Sequence, residues 1–276
     1  MTVDAKGAKV SVFDRGFLYG DGVFETMRAY AGVVFKLDEH IDRLFGALKA
    51  VKIKPPRGKK YFKSIIQRLL KINRLKSAYV RLAVTRGEGG FGIGYKDDLR
   101  PSVVLVAKQF DGYPEWMHER GISAKIVDAR QNDLSPLCGI KSMNYLNYIL
   151  ARFHAKESGY DEAILANTKG YITEAATSNI FFVKNGALVT PSLDSGILPG
   201  IARQVIIDIA GRLKIKVSER KVSPPELSNA DEIFLTNSLA EVLPVTHIGR
   251  KKVGNGKPGK LTKLLTISYK SLTKSS

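Results

Sequence analysis

The sequence has 276 residues but a single cysteine, Cys138, and only four histidines. One thiol cannot close an intramolecular disulfide, and the histidines lack the spacing of metal-ligand motifs. The sequence therefore predicts neither a disulfide framework nor a metal site. We interpret Cys138 as a small apolar filler rather than a reactive thiol.

Long apolar runs are also missing. No stretch approaches the roughly 20 apolar residues needed to cross a bilayer, and the N-terminal segment, residues 1–6, lacks the apolar core of a signal peptide. The sequence thus predicts a cytoplasmic protein with no membrane partner. A hydrophobic content of 44% is ordinary for a globular chain that can bury an enclosed site.

Acidic residues are scarce: 26 oppose 44 basic residues, and the net charge is +18. Such an excess is typical of proteins that bind polyanions. The basic residues are spread along the chain, however, without an RNA-binding aromatic motif or a zinc finger. We predict no specific nucleic-acid partner, and a basic polyanion-binding protein on a degenerate enzyme scaffold is kept as the alternative to an enzyme.

Hydrophobic periodicity divides the chain into two α+β parts. In the first part we predict strands at 22–30, 33–36, 78–85 and 102–108, and helices at 38–51, with Asp38 as N-cap, and at 60–72. The turn-rich stretch 111–121 predicts a boundary between a small N-terminal α+β domain, residues 1–115, and a larger mixed α/β domain, residues 116–276. In the second part we predict strands at 122–128, 162–166, 171–173, 180–183, 187–190, 216–220 and 232–235.

Two residues of the second part have side chains that suit a covalently held cofactor. Lys141 lies in the segment 139–147, and Glu174 lies between two predicted hairpins in the segment 171–179. A lysine amine forms a Schiff base with an aldehyde only when it is deprotonated, and a carboxylate can keep a ring nitrogen protonated. Pyridoxal 5'-phosphate requires these two groups from a protein.

The order of motifs carries a family resemblance that extends from Ser11 to about Thr266. The chain resembles the class IV aminotransferases, the fold-type IV pyridoxal-phosphate enzymes, which include branched-chain-amino-acid aminotransferases, D-amino-acid aminotransferases and aminodeoxychorismate lyases. The matching segments are 12–25, 39–44, 139–147, 171–179, 198–203 and 255–259. The resemblance implies a two-domain fold like that of D-amino-acid aminotransferase, and a homodimer or a higher assembly.

The resemblance assigns the cofactor site residue by residue. Lys141 matches the lysine that holds the cofactor and moves the substrate proton, and Glu174 matches the acid at the pyridine nitrogen. Tyr145 resembles the family tyrosine at the phenolic oxygen, and position i+4 would share a face with Lys141 if the segment is helical; Tyr148 is the rival. The implied phosphate ligands are Arg43, the helix start formed by Leu198, Gly200, Ile201 and Ala202, and Ser238.

Substrate recognition is implied at a second group of residues. Tyr79 and Arg81 share one face of a strand, and in branched-chain aminotransferases the matching residues bind substrate, the arginine accepting the side-chain carboxylate of glutamate. Tyr19 and Phe24 are expected to form an apolar wall. The backbone amide of Leu239 is expected to hold the substrate carboxylate.

The expected reaction is transfer of an amino group from L-leucine, L-isoleucine or L-valine to 2-oxoglutarate. The segment 85–94 lacks the Arg-X-His pattern of typical D-amino-acid enzymes, which argues against D-specificity. Thr26 stands where branched-chain enzymes commonly have glycine, and this keeps an aminodeoxychorismate lyase as an alternative. A D-amino-acid aminotransferase is the third candidate.

Overall fold

The strands of the computed structural model, which describes residues 3–94 and 98–274, form two separate sheets. The smaller sheet has the order β2-β1-β3-β4 and is antiparallel throughout. Its strands are β1 (Gly22–Tyr30), β2 (Val33–Val34), β3 (Ala78–Thr85) and β4 (Val103–Gln109). The helices of this part are α1 (Arg15–Tyr19), α2 (Leu37–Ala50) and α3 (Lys59–Ile72).

One face of the smaller sheet is covered by α2 and α3. Val23 and Met27 of β1 pack against the helical stripe of Ile41, Leu44 and Leu48, all of them fully buried. The spacing of that stripe places its side chains on one side of α2. The opposite face of the sheet therefore remains for Thr26, Arg28 and the polar residues of β3.

The larger sheet has nine strands and mixed direction, with the order β10-β9-β8-β11-β12-β5-β6-β7 and β13 paired to β12. Its strands are β5 (Ile122–Gln131), β6 (Glu162–Asn167), β7 (Ile172–Ala175), β8 (Asn179–Lys184), β9 (Ala187–Pro191), β10 (Val217–Arg220), β11 (Glu232–Asn237), β12 (Glu241–Ile248) and β13 (Lys251–Lys252). The helices are α4 (Glu115–Arg120), α5 (Leu146–Glu157), α6 (Ile201–Arg212), α7 (Pro224–Ser228) and α8 (Lys260–Lys274).

The central strands of the larger sheet are buried on both faces. Phe182 and Ile233 belong to the core on one side, while Phe181 and Phe234 stack on the other side against α6 and α8. Continuous apolar strands such as β6 and β8 are the sequence signature of this arrangement. In the described part of the chain, no helix combines the length and apolar composition required to span a membrane.

The predicted α+β class is confirmed, and β1 and β3 have the predicted bounds. The predicted N-cap is wrong: Lys36 holds that position in a left-handed conformation, and Asp38 lies within the first turn of α2, where its charge still favours the helix start. The turn-rich stretch 111–121 contains α4. The proposed boundary between residues 115 and 116 falls at the start of that helix, after the last strand of the smaller sheet, and stays a prediction.

Candidate active site

A cavity of about 350 Å³ lies where the polar face of the smaller sheet meets the larger sheet. All of the predicted site residues except Tyr19 line it: Phe24, Arg43, Tyr79, Arg81, Lys141, Tyr145, Glu174, Leu198, Gly200, Ile201, Ala202, Ser238 and Leu239. The cavity therefore joins residues that are distant in the sequence.

Lys141 is held by main-chain hydrogen bonds to β1 of the smaller sheet. The amide of Phe24 donates to the Lys141 carbonyl at 3.0 Å, and the amide of Met143 donates to the Gly22 carbonyl at 2.9 Å. Its Nζ donates to Tyr145 Oη at 3.1 Å and lies 4.8 Å from the centre of the Phe24 ring. The amine is thus fixed at the cavity wall between two aromatic rings.

Tyr145 reaches Lys141 for a different reason from the one the spacing suggested. The segment between them is not helical, because α5 begins only at Leu146 and Tyr145 is its N-cap residue. An irregular turn, rather than an i, i+4 helical face, brings the two side chains together. Tyr148 contacts the other predicted residue instead, since its hydroxyl donates to Glu174 Oε1 at 3.1 Å.

Glu174 lies on β7 and is 6% exposed. Its Oε2 accepts hydrogen bonds from Asn179 Nδ2 and from the Leu198 amide, both at 3.1 Å. Burial raises the pKa of Glu174 to about 7, against the lowering effect of the hydrogen bonds from Leu198 and Tyr148. A cationic group in the cavity would shift this carboxyl to the ionised form.

The start of α6 offers backbone amides that suit an anion. The first amide to bond within the helix is that of Gln204, which donates to the Gly200 carbonyl at 3.0 Å, so the preceding amides lack intrahelical acceptors. A Cβ at Gly200 would lie 1.9 Å from Asn179 Oδ1, so any larger residue there would have to displace the Asn179 carboxamide. Arg43 adds positive charge and anchors the entry of the helix by donating to the Pro199 carbonyl at 3.0 Å.

Arg43 is oriented by a buried carboxylate whose role the sequence did not assign. Both oxygens of Glu25 accept from Arg43 at 2.7 Å, and Oε2 also contacts His40 Nδ1 at 2.8 Å. Burial by itself raises the pKa of Glu25, but the charge and hydrogen bonds of Arg43, with a further bond from His40, lower it to about 2. Glu25 is therefore ionised and fixes the guanidinium.

His40 extends this network to Ser238. An ionised Glu25 only accepts hydrogen bonds, so His40 Nδ1 is the donor. Burial lowers the pKa of His40 more than Glu25 raises it, which leaves Nε2 of the neutral ring to accept from Ser238 Oγ at 3.4 Å. Ser238 is also a predicted phosphate ligand, and its hydroxyl has one proton, so donating to a phosphate would end its donation to His40.

The wall formed by β1 and β3 combines aromatic and cationic groups. Tyr79 and Arg81 both line the cavity, as their shared strand face predicts. The Arg81 guanidinium carbon lies 3.7 Å from the centre of the Phe24 ring, which in turn contacts Tyr145 at 5.2 Å. The wall thus presents apolar ring surface and one guanidinium side by side.

Tyr19 does not join this wall within one chain. It lies on α1, is 39% exposed, and its hydroxyl accepts from the Gly92 amide at 2.7 Å. Arg15 covers its ring at 5.0 Å. The position on an exposed helix, rather than on the sheet face, explains why it is missing from the described lining of the cavity.

The turn between β11 and β12 borders the cavity through Ser238 and Leu239. The Leu239 amide, predicted to hold a substrate carboxylate, donates here to Asn237 Oδ1 at 2.8 Å, and the Ala240 amide donates to the same oxygen at 2.7 Å. Asn237 Nδ2 donates to Ser178 Oγ at 2.8 Å. The carboxamide therefore caps the turn, and a bound carboxylate has to replace it at the Leu239 amide.

These groups fit pyridoxal phosphate. The cavity offers an amine at Lys141, a buried acid at Glu174 and a separate anion pole built from Arg43 and the α6 amides. Sequence reasoning missed Glu25 and Asn179, although both lie inside the matched segments. Their role depends on partners brought in by the fold: Asn179 joins Glu174 to the Leu198 carbonyl, to which it donates at 2.9 Å.

Comparison with known proteins places this geometry among related sequences. The family described as Amino-transferase class IV matches residues 22–248. The chain is 42% identical over 271 residues to a Methanocaldococcus jannaschii protein provisionally named branched-chain-amino-acid aminotransferase, covering 98% of this chain and 93% of that protein. It is 36% identical to a Bacillus licheniformis D-alanine aminotransferase, with 92% and 88% covered. It is 35% identical to the Bacillus subtilis aminodeoxychorismate lyase, with 97% and 91% covered.

Solved structures show the same fold. The Escherichia coli branched-chain amino acid aminotransferase superposes with a TM-score of 0.96 at 32% identity, covering 99% of this chain and 92% of that one. The T.th. branched-chain amino acid aminotransferase with pyridoxamine 5'-phosphate has a TM-score of 0.93 at 29% identity, covering 98% and 91%. The predicted fold is therefore shared with branched-chain aminotransferases, one of which is seen with pyridoxamine 5'-phosphate.

Proposed function

This chain belongs to the class IV aminotransferase family, and we propose that it transfers the amino group of branched-chain L-amino acids to 2-oxoglutarate. Glutamate and a branched-chain 2-oxo acid are the products. One observation carries the proposal: the wall of Phe24, Tyr79 and Arg81 faces the same cavity as the Lys141 amine and offers both apolar surface and a guanidinium. Such a wall accepts an aliphatic side chain or a carboxylate in turn.

The proposed cofactor is pyridoxal 5'-phosphate, on which the family depends. It supplies an electron sink for the bond electrons released at the substrate Cα. Lys141 would hold it covalently, Glu174 would pair with its ring nitrogen, and Tyr145 would contact its phenolic oxygen. Arg43 and the α6 amides would bind its phosphate, as charge and free helix-start donors favour.

Lys141 is also the proposed acid and base of the reaction. After the substrate amine has replaced Lys141 on the cofactor, the freed Nζ would take the proton from the substrate Cα and deliver it to the cofactor. The Tyr145 hydroxyl, 3.1 Å away, orients the amine. Glu174, buried and ionised by a cationic partner, would keep the ring nitrogen protonated throughout. Lys141, Tyr145 and Glu174 would together control where the protons lie during the reaction.

Substrate binding is proposed at two places. The α-carboxylate lies at the turn of Ser238 and Leu239, where a charged oxygen is a stronger acceptor than the Asn237 carboxamide and takes the Leu239 amide from it. The substrate side chain contacts Phe24 and Tyr79, and the second carboxylate of glutamate or 2-oxoglutarate pairs with Arg81.

Two alternatives within the family remain as competing proposals. Thr26 lines the cavity opposite Arg81 in the sheet register, a polar addition that favours the aminodeoxychorismate lyase alternative. The D-amino-acid alternative has less support, because Arg86 donates to Asp21 and to the Val51 and Lys52 carbonyls. Residues 86–94 also supply none of the described cavity lining.

A donor and acceptor panel on the purified protein loaded with pyridoxal phosphate tests the proposal. We expect glutamate from 2-oxoglutarate with leucine, isoleucine or valine as donor. Pyruvate and 4-aminobenzoate from aminodeoxychorismate, without glutamate formation, would select the lyase, and preference for D-alanine would select the third relative. A colourless protein that binds nucleic acid in a sequence-dependent way would reject all three.

The proposed assembly is a homodimer, which the apolar face of α5 supports. Leu146, Ile149, Leu150 and Phe153 recur at helical spacing, and each is at least 44% exposed. An exposed apolar stripe of this kind is typical of a protein interface. Sedimentation at micromolar concentration should give twice the 30.4 kDa chain mass, and replacing Leu150 and Phe153 with glutamate should return the protein to monomer.

A further inference from the structure

The turn that borders the cavity, residues 237–241, is gripped from the smaller sheet by one arginine. Arg28 Nη1 donates to the Leu239 carbonyl and to Glu241 Oε1, both at 2.9 Å. The Arg28 side chain is 12% exposed and the Glu241 side chain 6% exposed, so water scarcely competes for either contact. The peptide of Leu239 is therefore fixed at its carbonyl by Arg28 and at its amide by Asn237.

Arg28 belongs to the same sheet face as the substrate wall. In the register of β1 and β3, Arg28 lies opposite Tyr79, and Thr26 lies opposite Arg81. Alternation along a strand directs Thr26 and Arg28 to one side. The arginine is consequently part of the rigid surface that carries the proposed side-chain pocket, while its two acceptors belong to the larger sheet.

Glu241, the other partner, ends the turn in a costly conformation. Its φ of 60° is left-handed, a region that non-glycine residues seldom occupy. Its carboxylate also accepts from Tyr30 Oη at 2.8 Å, and its carbonyl accepts from Thr236 Oγ1 at 2.7 Å. Surrounding contacts thus hold the residue where the backbone alone would not.

A buried ion pair of this kind is a weak source of stability, because desolvation offsets most of the attraction. Its directional bonds do fix geometry, however, and here they set the spacing between two surfaces. One surface is the turn that would bind the α-carboxylate, and the other is the wall that would bind the side chain. An amino acid must fit both at once for its Cα to lie beside Lys141.

We propose that Arg28 and Glu241 are positioning residues that fix the distance from the carboxylate-binding turn to the side-chain wall. The proposal rests on the proposed function, since that function places the substrate carboxylate at Ser238 and Leu239. The pair acts on amino-acid recognition through the Leu239 peptide and contacts neither the substrate nor the cofactor.

The test compares the wild-type holoenzyme with the double variant Arg28→Met and Glu241→Met, which removes both charges together and leaves no unpaired ion. The matched control is the double variant Arg220→Met and Glu226→Met, which removes an ion pair at the surface between the end of β10 and α7. Leucine and 3-methylbutylamine, which is leucine without its carboxylate, serve as amino donors.

We expect the double variant to bind pyridoxal phosphate with wild-type affinity and to raise the KM for leucine by about 10- to 100-fold, the usual penalty of a displaced contact, with a much smaller change in kcat. The kinetic constants for 3-methylbutylamine should change by less than about threefold, because this donor does not use the turn. The control should match the wild type in every measurement.

An unchanged KM for leucine, an equal loss with 3-methylbutylamine, or a loss of cofactor affinity would each overturn the proposal. If the double variant does not fold, Arg28→Lys replaces it; lysine keeps the charge but not the two-acceptor geometry, and a KM increase of about tenfold is expected. Failure of the proposed function has a different signature, namely a wild-type enzyme inactive with every branched-chain donor. The comparison then uses the donor that the panel identifies and its decarboxylated analogue.

Discussion

Glu174 should make the cofactor-free protein less stable as the pH rises, and Glu174→Gln should remove that dependence. The carboxyl is buried, and burial raises its pKa from the ordinary 4.5 to about 7. An acid with a raised pKa in the folded chain favours folding below its unfolded pKa. That advantage is lost as the pH rises through the folded pKa.

The size of the effect follows from the two pKa values. At about 1.4 kcal/mol per pKa unit, the difference between 4.5 and about 7 corresponds to about 3 kcal/mol of folding free energy. This contribution is complete below pH 4.5 and absent above pH 7. The glutamine variant keeps the shape but has no proton to lose, so relative to the wild type it should gain about 3 kcal/mol between pH 4.5 and pH 8.

Denaturant unfolding of the cofactor-free proteins at pH 4.5 and pH 8 measures this difference. Glu157→Gln, an exposed carboxyl on α5, is the control and should change the free energy of unfolding equally at both values. Added pyridoxal phosphate should stabilise the wild type more than Glu174→Gln at pH 8, because only the wild type gains an ion pair. The same difference between wild type and variant at both pH values would refute the reasoning.

Three further outcomes are expected. Arg81→Met should lower kcat/KM for 2-oxoglutarate by about 10- to 100-fold, since a charged hydrogen bond contributes about 1.5–3 kcal/mol. The kcat/KM for leucine should stay nearly unchanged, and equal losses of kcat/KM for the two substrates would contradict the assignment. Gly200→Ala should weaken pyridoxal phosphate binding by about tenfold or more, because the alanine Cβ would force Asn179 away from Glu174. Reconstitution titration measures this affinity, and a wild-type value would contradict the prediction. Glu25→Gln should lower the free energy of unfolding by about 3 kcal/mol at pH 7, since the pKa of Glu25 is lowered to about 2. The difference between variant and wild type should shrink as the pH falls from 4.5 towards 2. A loss that does not depend on pH would argue against an ionised Glu25.

The smaller sheet could be read from the sequence because its signals are local. β1 and β3 alternate between core and cavity, and the stripe of α2 repeats at helical spacing. The strand β12 was not predicted, because Pro244 interrupts its apolar pattern. In the structure Pro244 nevertheless pairs with Phe234 in the sheet. The helix α8 was not predicted, although its buried residues Leu265 and Tyr269 are four positions apart, as on one face of a helix.

The candidate site was predictable where a motif identifies a side chain and unpredictable where a contact depends on packing. Lys141 and Glu174 were assigned by the family resemblance, and both line the cavity. The contacts of Glu25 and Arg28 were not predictable, because their partners lie on other elements and meet them only after the two sheets assemble. Spacing also gave a correct neighbour for a wrong reason at Tyr145, where a turn replaces the expected helix.

The main-chain bonds between β1 and the Lys141 segment have a consequence for how substrates enter and leave. Lys141 follows β5 in the sequence, but its backbone is hydrogen-bonded to β1 of the smaller sheet, whereas Glu174 lies in the larger sheet and α6 packs against it. If the two sheets moved apart, the Lys141 amine would separate from Glu174 and the start of α6, and the site would come apart at every turnover. We therefore expect amino acids to enter and leave through the mouth of the cavity while the two sheets stay together.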